Sequence, residues 1–198
     1  MQSLITLRKT DLYPILLFIV CIVAYTFNEY FYQLFEFKRS SLENGQLWRL
    51  LTCHLLHTNF NHLLLNMAAL ALLFLLHRRF HHGVMFPVLL FFSAIVVSTG
   101  VYISSPELVR YVGLSGVLHA VFLWGTLHDI KNKDKTGYLL LIGLIVKVTH
   151  EQLFGASKQV ASMINADVAI DAHLWGVVAG FCFFIFYENI QRTKKKAS

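Results

Sequence analysis

Six long apolar stretches, at about 12–30, 62–76, 84–104, 113–128, 137–154 and 168–188, limit what this chain can fold into. Each approaches the length needed to cross about 30 Å of hydrocarbon, and the segments between them carry Pro, Gly, Asn and charge, as connections do. Lipid offers the backbone no hydrogen-bond partners, so only helices and closed barrels cross it. The stretches are continuously apolar rather than alternating, which selects helices. Of 198 residues, 56% are hydrophobic and 14% charged. The sequence therefore predicts an all-α membrane protein, a single six-helix transmembrane domain over 1–198. The polar stretches at 32–46 and 155–167 are loop-sized and leave no room for a separate soluble domain.

The run from Leu12 to Phe27 is long for a signal-peptide core, and no small-residue cleavage site follows it, so we read it as a retained first span. Cys21, Cys53 and Cys182 are odd in number, which argues against a disulfide framework. Six spans put both termini on one side. The positive-inside bias agrees. Eleven Lys and Arg lie in the N-terminus, the turns at 78–79 and 131–135 and the tail, against five in the opposite segments. That orientation makes both termini cytoplasmic. It assigns the cations to topology and contact with anionic lipid rather than to nucleic acid.

Against this frame two polar residues stand out. Ser115, within Gly113-Leu114-Ser115-Gly116, opens the fourth apolar stretch, and His173, within Ala172-His173-Leu174-Trp175-Gly176, opens the sixth. Both fall on the extracytoplasmic side. A serine attacks a carbonyl only when a base takes its proton, and histidine is the usual base. In the first turn of a helix, Ser115 sits among backbone N–H groups that lack intrahelical partners and favour a developing oxyanion. Gly113 permits an unusual turn, and Gly116 clears the approach to the serine. Gly176 and Gly180 share a face with His173's helix turn, and Gly116 and Ala120 form a matching face, so the two helices are expected to press together.

Several other polar groups need a reading. His119 shares the face of Ser115; side chains lean toward the helix N-terminus, so it is expected to stack beside His173 rather than serve as the base. His62 and Asn66, four apart, line one helical face and can donate to an oxyanion together with the Ser115 amide. Arg49 precedes them in the polar belt at 48–57 and is expected to support the site. His54, His57 and His62 invite a metal reading, but no HExxH motif and no nearby carboxylate accompany them. Asp171 lies two residues before His173 and points elsewhere on a continuous helix. Lys147, His150 and Glu151 share one face of the fifth stretch and read either as a local Lys147–Glu151 ion pair that settles helix position, the reading preferred, or as a polar patch near a lateral gate that meets the substrate's end or a lipid headgroup.

Taken in order, Trp48-Arg49, His62-x-x-x-Asn66, Gly113-x-Ser115-Gly116 and Ala172-His173-x-x-Gly176-x-x-x-Gly180 resemble the motifs of the rhomboid intramembrane serine proteases, and the wording around them looks most like the rhombosortase branch. The resemblance implies Ser115 as nucleophile, His173 as general base and then acid, and His62 and Asn66 as oxyanion donors. It implies a dyad with no required acidic third member and no cofactor or metal. The implied partner is a membrane-anchored substrate cut near its extracytoplasmic end, bearing a C-terminal Gly-Gly-type sorting tail, in a bacterial inner membrane. Cys53 and His119 depart from the histidine and tyrosine common in better-known relatives. The competing readings are a catalytically silent rhomboid-like protein that binds membrane helices, and a histidine-rich metal or haem protein.

Overall fold

A computed structural model describes residues 8–197; Met1–Leu7 and Ser198, at the ends of the expected domain, lie outside the described residues. Ten α-helices are described: α1 (Leu12–Thr26), α2 (Asn28–Phe35), α3 (Arg39–Glu43), α4 (Arg49–Thr52), α5 (Phe60–His77), α6 (Met85–Ser104), α7 (Ser115–Lys131), α8 (Lys135–Phe154), α9 (Lys158–Ile164) and α10 (Ile170–Ala197). The fold is an all-α membrane bundle. Among the described residues one sheet pairs β1 (Phe37–Lys38) antiparallel with β2 (Arg110–Tyr111), a two-residue ladder ahead of the Gly113 turn.

Among the described residues, five helical segments are long and apolar enough to cross a membrane: Lys9–Thr26, Phe60–Phe80, Met85–Ser104, Lys135–Phe154 and Ile170–Lys196. The remaining expected span, α7, has 17 residues, about 25 Å of helix. It is also the most enclosed helix. Gly116, Val117, Leu118, Ala120, Val121, Leu123, Trp124, Gly125 and Thr126 are all buried, whereas Leu139, Ile142, Ile145 and Val146 of α8 face outward. Helix α7 is thus the post around which α5, α6, α8 and α10 stand. Its core partners include Leu63, Met67 and Leu70 of α5 and Leu89 of α6.

The first span departs from expectation. Instead of one helix over 12–30, α1 ends at Thr26, Phe27 leaves helical geometry (φ −105°, ψ 27°), and α2 begins at Asn28. The Thr26 hydroxyl donates to the Ile22 carbonyl at 2.9 Å, a local bond of the kind that bends helices. The expected loops also hold short helices, α3 in one and α9 in the other. Asn165, in the left-handed region at φ 52°, ends α9.

The segments carrying the cation excess meet at one end. Arg8 and Arg78 both bond Asp11, Arg79 bonds Asp129 (2.7 Å) and Asp134 (2.6 Å), and Lys131 bonds Glu188. Ser115 and His173 begin their helices at the other end.

Small residues set the spacing of α7 and α10. A Cβ on Gly116 would come within 2.8 Å of the Ala172 carbonyl, one on Gly180 within 2.6 Å of the Ala120 carbonyl, and one on Gly176 would overlap the Gly116 carbonyl. These backbones touch, so the expected close approach is present. A Gly176→Ala substitution must push the helices apart. It should destabilise the protein by about 1–3 kcal/mol, seen as a lower unfolding temperature in detergent, while Gly143→Ala in the interior of α8, which meets nothing within 4 Å, should not lower it and should stabilise by up to about 1 kcal/mol.

Two histidines outside the spans tie this packing to pH. Burial pushes His57 down to about 3 and His81 down to about 4. The ordinary value is about 6.5. Both are neutral in the folded protein, whereas the unfolded chain binds their protons. The stability they contribute is complete above about pH 6.5 and is lost as pH falls below it, by up to about 1.4 kcal/mol per pH unit per histidine. Thermal unfolding at pH 5 should therefore precede that at pH 7.5, and His57→Phe should flatten the slope.

Candidate active site

The residues before Ser115 are held on both sides. Gly113 has φ +129°, a region that suits glycine, and a Cβ there would come within 2.8 Å of the His62 ring. Its N–H donates to the Cys53 carbonyl at 3.1 Å, and its carbonyl accepts from Tyr111 Oη at 2.8 Å and meets His54 Nδ1 at 3.2 Å. Helix α7 then starts at Ser115 without a side-chain cap, so its first-turn amides lack an intrahelical partner.

Ser115 Oγ lies 3.0 Å from His173 Nε2, across the α7–α10 contact. His119, one turn below Ser115, donates through Nδ1 to the Ser115 carbonyl (2.7 Å), and its ring stacks on that of His173 with centroids 4.2 Å apart at 17°. His119 therefore occupies the stacking position expected for it. His62 and Asn66 of α5 are buried and line the same cavity. His62 Nδ1 lies 3.1 Å from the Thr58 hydroxyl oxygen and 3.4 Å from the Thr58 backbone N–H, and Nε2 of the ring faces Gly113. The Asn66 amide donates one of its two N–H groups to the His62 carbonyl at 3.0 Å.

The cavity holds about 460 Å³ and runs from Ser115, His173 and His62 along Leu65, Ala69, Leu72 and Leu76 of α5 to Leu140 of α8. Its walls are apolar away from the Ser115 end. Helix α9 covers that end: the Ile164 carbonyl accepts from the Thr58 hydroxyl (2.6 Å), and the Met163 carbonyl accepts from Asn59 and Asn61.

Arg49 lies outside the cavity lining; its buried guanidinium donates to the Glu36 and Gln33 carbonyls at 2.8 Å and to Gln46, pinning the chain ahead of α5. Glu151 does more than pair with Lys147 at 2.7 Å. The same oxygen, Oε2, lies 2.9 Å from His173 Nδ1, so an acidic third group does touch the histidine. Sequence spacing could not reveal this, because it depends on how α8 is rotated against α10. Asp171, as expected, turns elsewhere, to the Ser105 hydroxyl (2.5 Å) and Gln152. His150 is exposed and leans on Phe154.

A second serine–histidine contact, Ser98 Oγ to His54 Nε2 at 2.9 Å, is structural in character. Both side chains are buried, and the Ser98 hydroxyl gives its proton to the Leu50 carbonyl (2.8 Å) instead of offering it to the imidazole. His54 and its neighbour Cys53 thereby shape the Gly113 turn, a role the sequence reading did not give them. Three groups, His119, Glu151 and His173, have ligand atoms within 4.8 Å of one another. The two imidazoles stack nearly parallel, so an ion in the plane of one ring lies well outside the plane of the other. The arrangement suits ring stacking better than shared ligation.

The chain belongs to the rhomboid family: the family model for the Rhomboid domain matches residues 44–189. It is also 30% identical over 141 residues to a Bacillus subtilis (strain 168) protein named "Putative rhomboid protease YdcA", an alignment covering 70% of this chain and 66% of that protein.

Removing the Gly113 Cβ-free space is the most direct test of how the turn is built. Gly113→Ala should both strain the positive-φ backbone and displace His62, costing about 1–3 kcal/mol in thermal stability measured in detergent.

Proposed function

We propose that this protein is an intramembrane serine protease in which Ser115 attacks and His173 serves as general base and then general acid. The observation that carries this reading is the 3.0 Å approach of Ser115 Oγ to His173 Nε2 at the head of an apolar cavity. As Oγ bonds the scissile carbonyl carbon, its proton passes to Nε2, and Nε2 then protonates the leaving nitrogen. The Ser115 amide at the start of α7, together with His62 and the second N–H of Asn66, receives the oxyanion. A carbonyl becomes available only where the substrate helix unwinds, so the cut falls among residues of low helix propensity.

The leucine-lined part of the cavity favours an apolar transmembrane segment as substrate. We read the bundle as six spans with cytoplasmic termini, α7 being the short, enclosed sixth, and the site as opening to the extracytoplasmic side of a bacterial inner membrane. The motif likeness to rhombosortases supports substrates with a C-terminal Gly-Gly-type sorting tail.

Cleavage of a tagged Gly-Gly-tail membrane protein in reconstituted vesicles tests this reading. Ser115→Ala should abolish the product, and His173→Ala should slow its formation by about 10²–10⁴-fold. His62→Ala or Asn66→Ala should each cost up to about 10²–10³-fold. Wild-type rates in Ser115→Ala would overturn the assignment. An intact Gly-Gly-tail protein beside cleavage of other membrane segments would overturn the substrate class alone.

A further inference from the structure

We infer that Glu151 completes a Ser115–His173–Glu151 triad as a positioning residue, an inference that rests on the protease reading above. The geometry begins with the two nitrogens of one imidazole. Glu151 Oε2 lies 2.9 Å from His173 Nδ1, and a carboxylate there can only accept, so Nδ1 carries the hydrogen. In the neutral ring that leaves Nε2 as the lone-pair nitrogen, and Nε2 is the atom facing Ser115 Oγ at 3.0 Å. The carboxylate therefore selects the tautomer that can accept the serine proton. The face of the ring is held separately by His119, stacked at 4.2 Å.

The charged and titratable groups around His173 are few. Helix α8 brings Glu151 and Lys147, α7 brings His119, and α5 brings His62 on the far side of the cavity. Lys147 Nζ is 2.7 Å from the same Oε2 and 3.4 Å from His173 Nδ1. Two donors face each other across that longer gap, so each is held by the carboxylate rather than by the other. Asp171, nearest in sequence, is spent on Ser105 and Gln152, which leaves Glu151 as the carboxylate that reaches the imidazole among the described residues.

In the reaction, the Ser115 Oγ–carbon bond forms as the hydroxyl proton moves to Nε2. The imidazolium keeps its Nδ1–H bonded to Glu151, which stays ionised and balances the new positive charge. The Nε2 proton then leaves with the amine as the C–N bond breaks, and water releases the acyl group by the same transfers in reverse. Glu151 neither gains nor loses a proton. Lys147, exposed at the cavity wall, pairs with the same carboxylate oxygen at 2.7 Å.

The test is the inactivation rate of the full-length protein in detergent by a fluorophosphonate–rhodamine probe, resolved into kinact and KI. Glu151→Gln should lower kinact by about 10²–10⁴-fold with KI unchanged, because the ring loses its fixed tautomer while the cavity keeps its shape. Glu151→Asp, which restores the charge with shorter reach, should recover part of the loss. It also carries the test should the glutamine variant fail to fold. The double variant Lys147→Met with Glu151→Gln separates this role from simple ion pairing. A triad keeps the double variant slow; a carboxylate present only to neutralise Lys147 returns it to the wild-type kinact and overturns the inference. Wild-type kinact in Glu151→Gln alone overturns it equally. Both outcomes leave the protease reading standing as long as Ser115→Ala abolishes labelling, whereas labelling that survives Ser115→Ala defeats that reading and this one together.

Discussion

The contact between α7 and α10 is the constraint on which the rest of the structure depends. Association of helices in lipid gains little from the hydrophobic effect, so close packing must come from small residues that let backbones touch. Gly116 against Ala172, Gly176 against the Gly116 carbonyl, and Gly180 against Ala120 provide three such contacts along one seam. They bring the first turns of two helices, 58 positions apart in sequence, close enough for a hydroxyl and an imidazole to meet. A single added methyl at Gly176 would widen the seam, and the site would open with it.

Around that seam the polar groups satisfy one another in a way lipid cannot. Glu151 binds His173 and Lys147, His119 binds the Ser115 carbonyl and stacks on His173, and Tyr111 and His54 converge on the Gly113 carbonyl. Each ionisable group at the Ser115 end of the cavity thus has a partner, as intramembrane charges require. The opposite end is different in kind. There Arg8, Arg78, Arg79 and Lys131 meet Asp11, Asp129, Asp134 and Glu188, fixing the turns between helices.

Much of this was legible from the amino-acid order, and the reasons differ by element. The long apolar runs announce helices because lipid allows little else, and the glycine spacings on two runs announce that those helices touch. Ser115 and His173 stand out because a polar residue at the head of an apolar run is costly without a purpose. The break at Phe27 was hidden, since no proline or glycine marks it. Helix α9 was hidden because Lys158–Ile164 is too short and mixed for a periodic signal. Glu151 was visible as a partner of Lys147, one turn away on its own helix. Its reach to His173 depends on the rotation of α8, which no spacing within one helix encodes. Arg49 is legible as a supporting residue from its place in the polar belt, but its partners, the Glu36 and Gln33 carbonyls, depend on how the chain ahead of α5 folds back.

The account rests on Ser115 being the activated hydroxyl, and the structure offers a rival in Ser98, which also touches a histidine. Mass-spectrometric mapping of the phosphonylated peptide after fluorophosphonate treatment of the folded protein distinguishes them. The account predicts a single adduct on Ser115, lost when His173 is replaced by alanine. An adduct on Ser98, or labelling of Ser115 that is indifferent to His173, would contradict it.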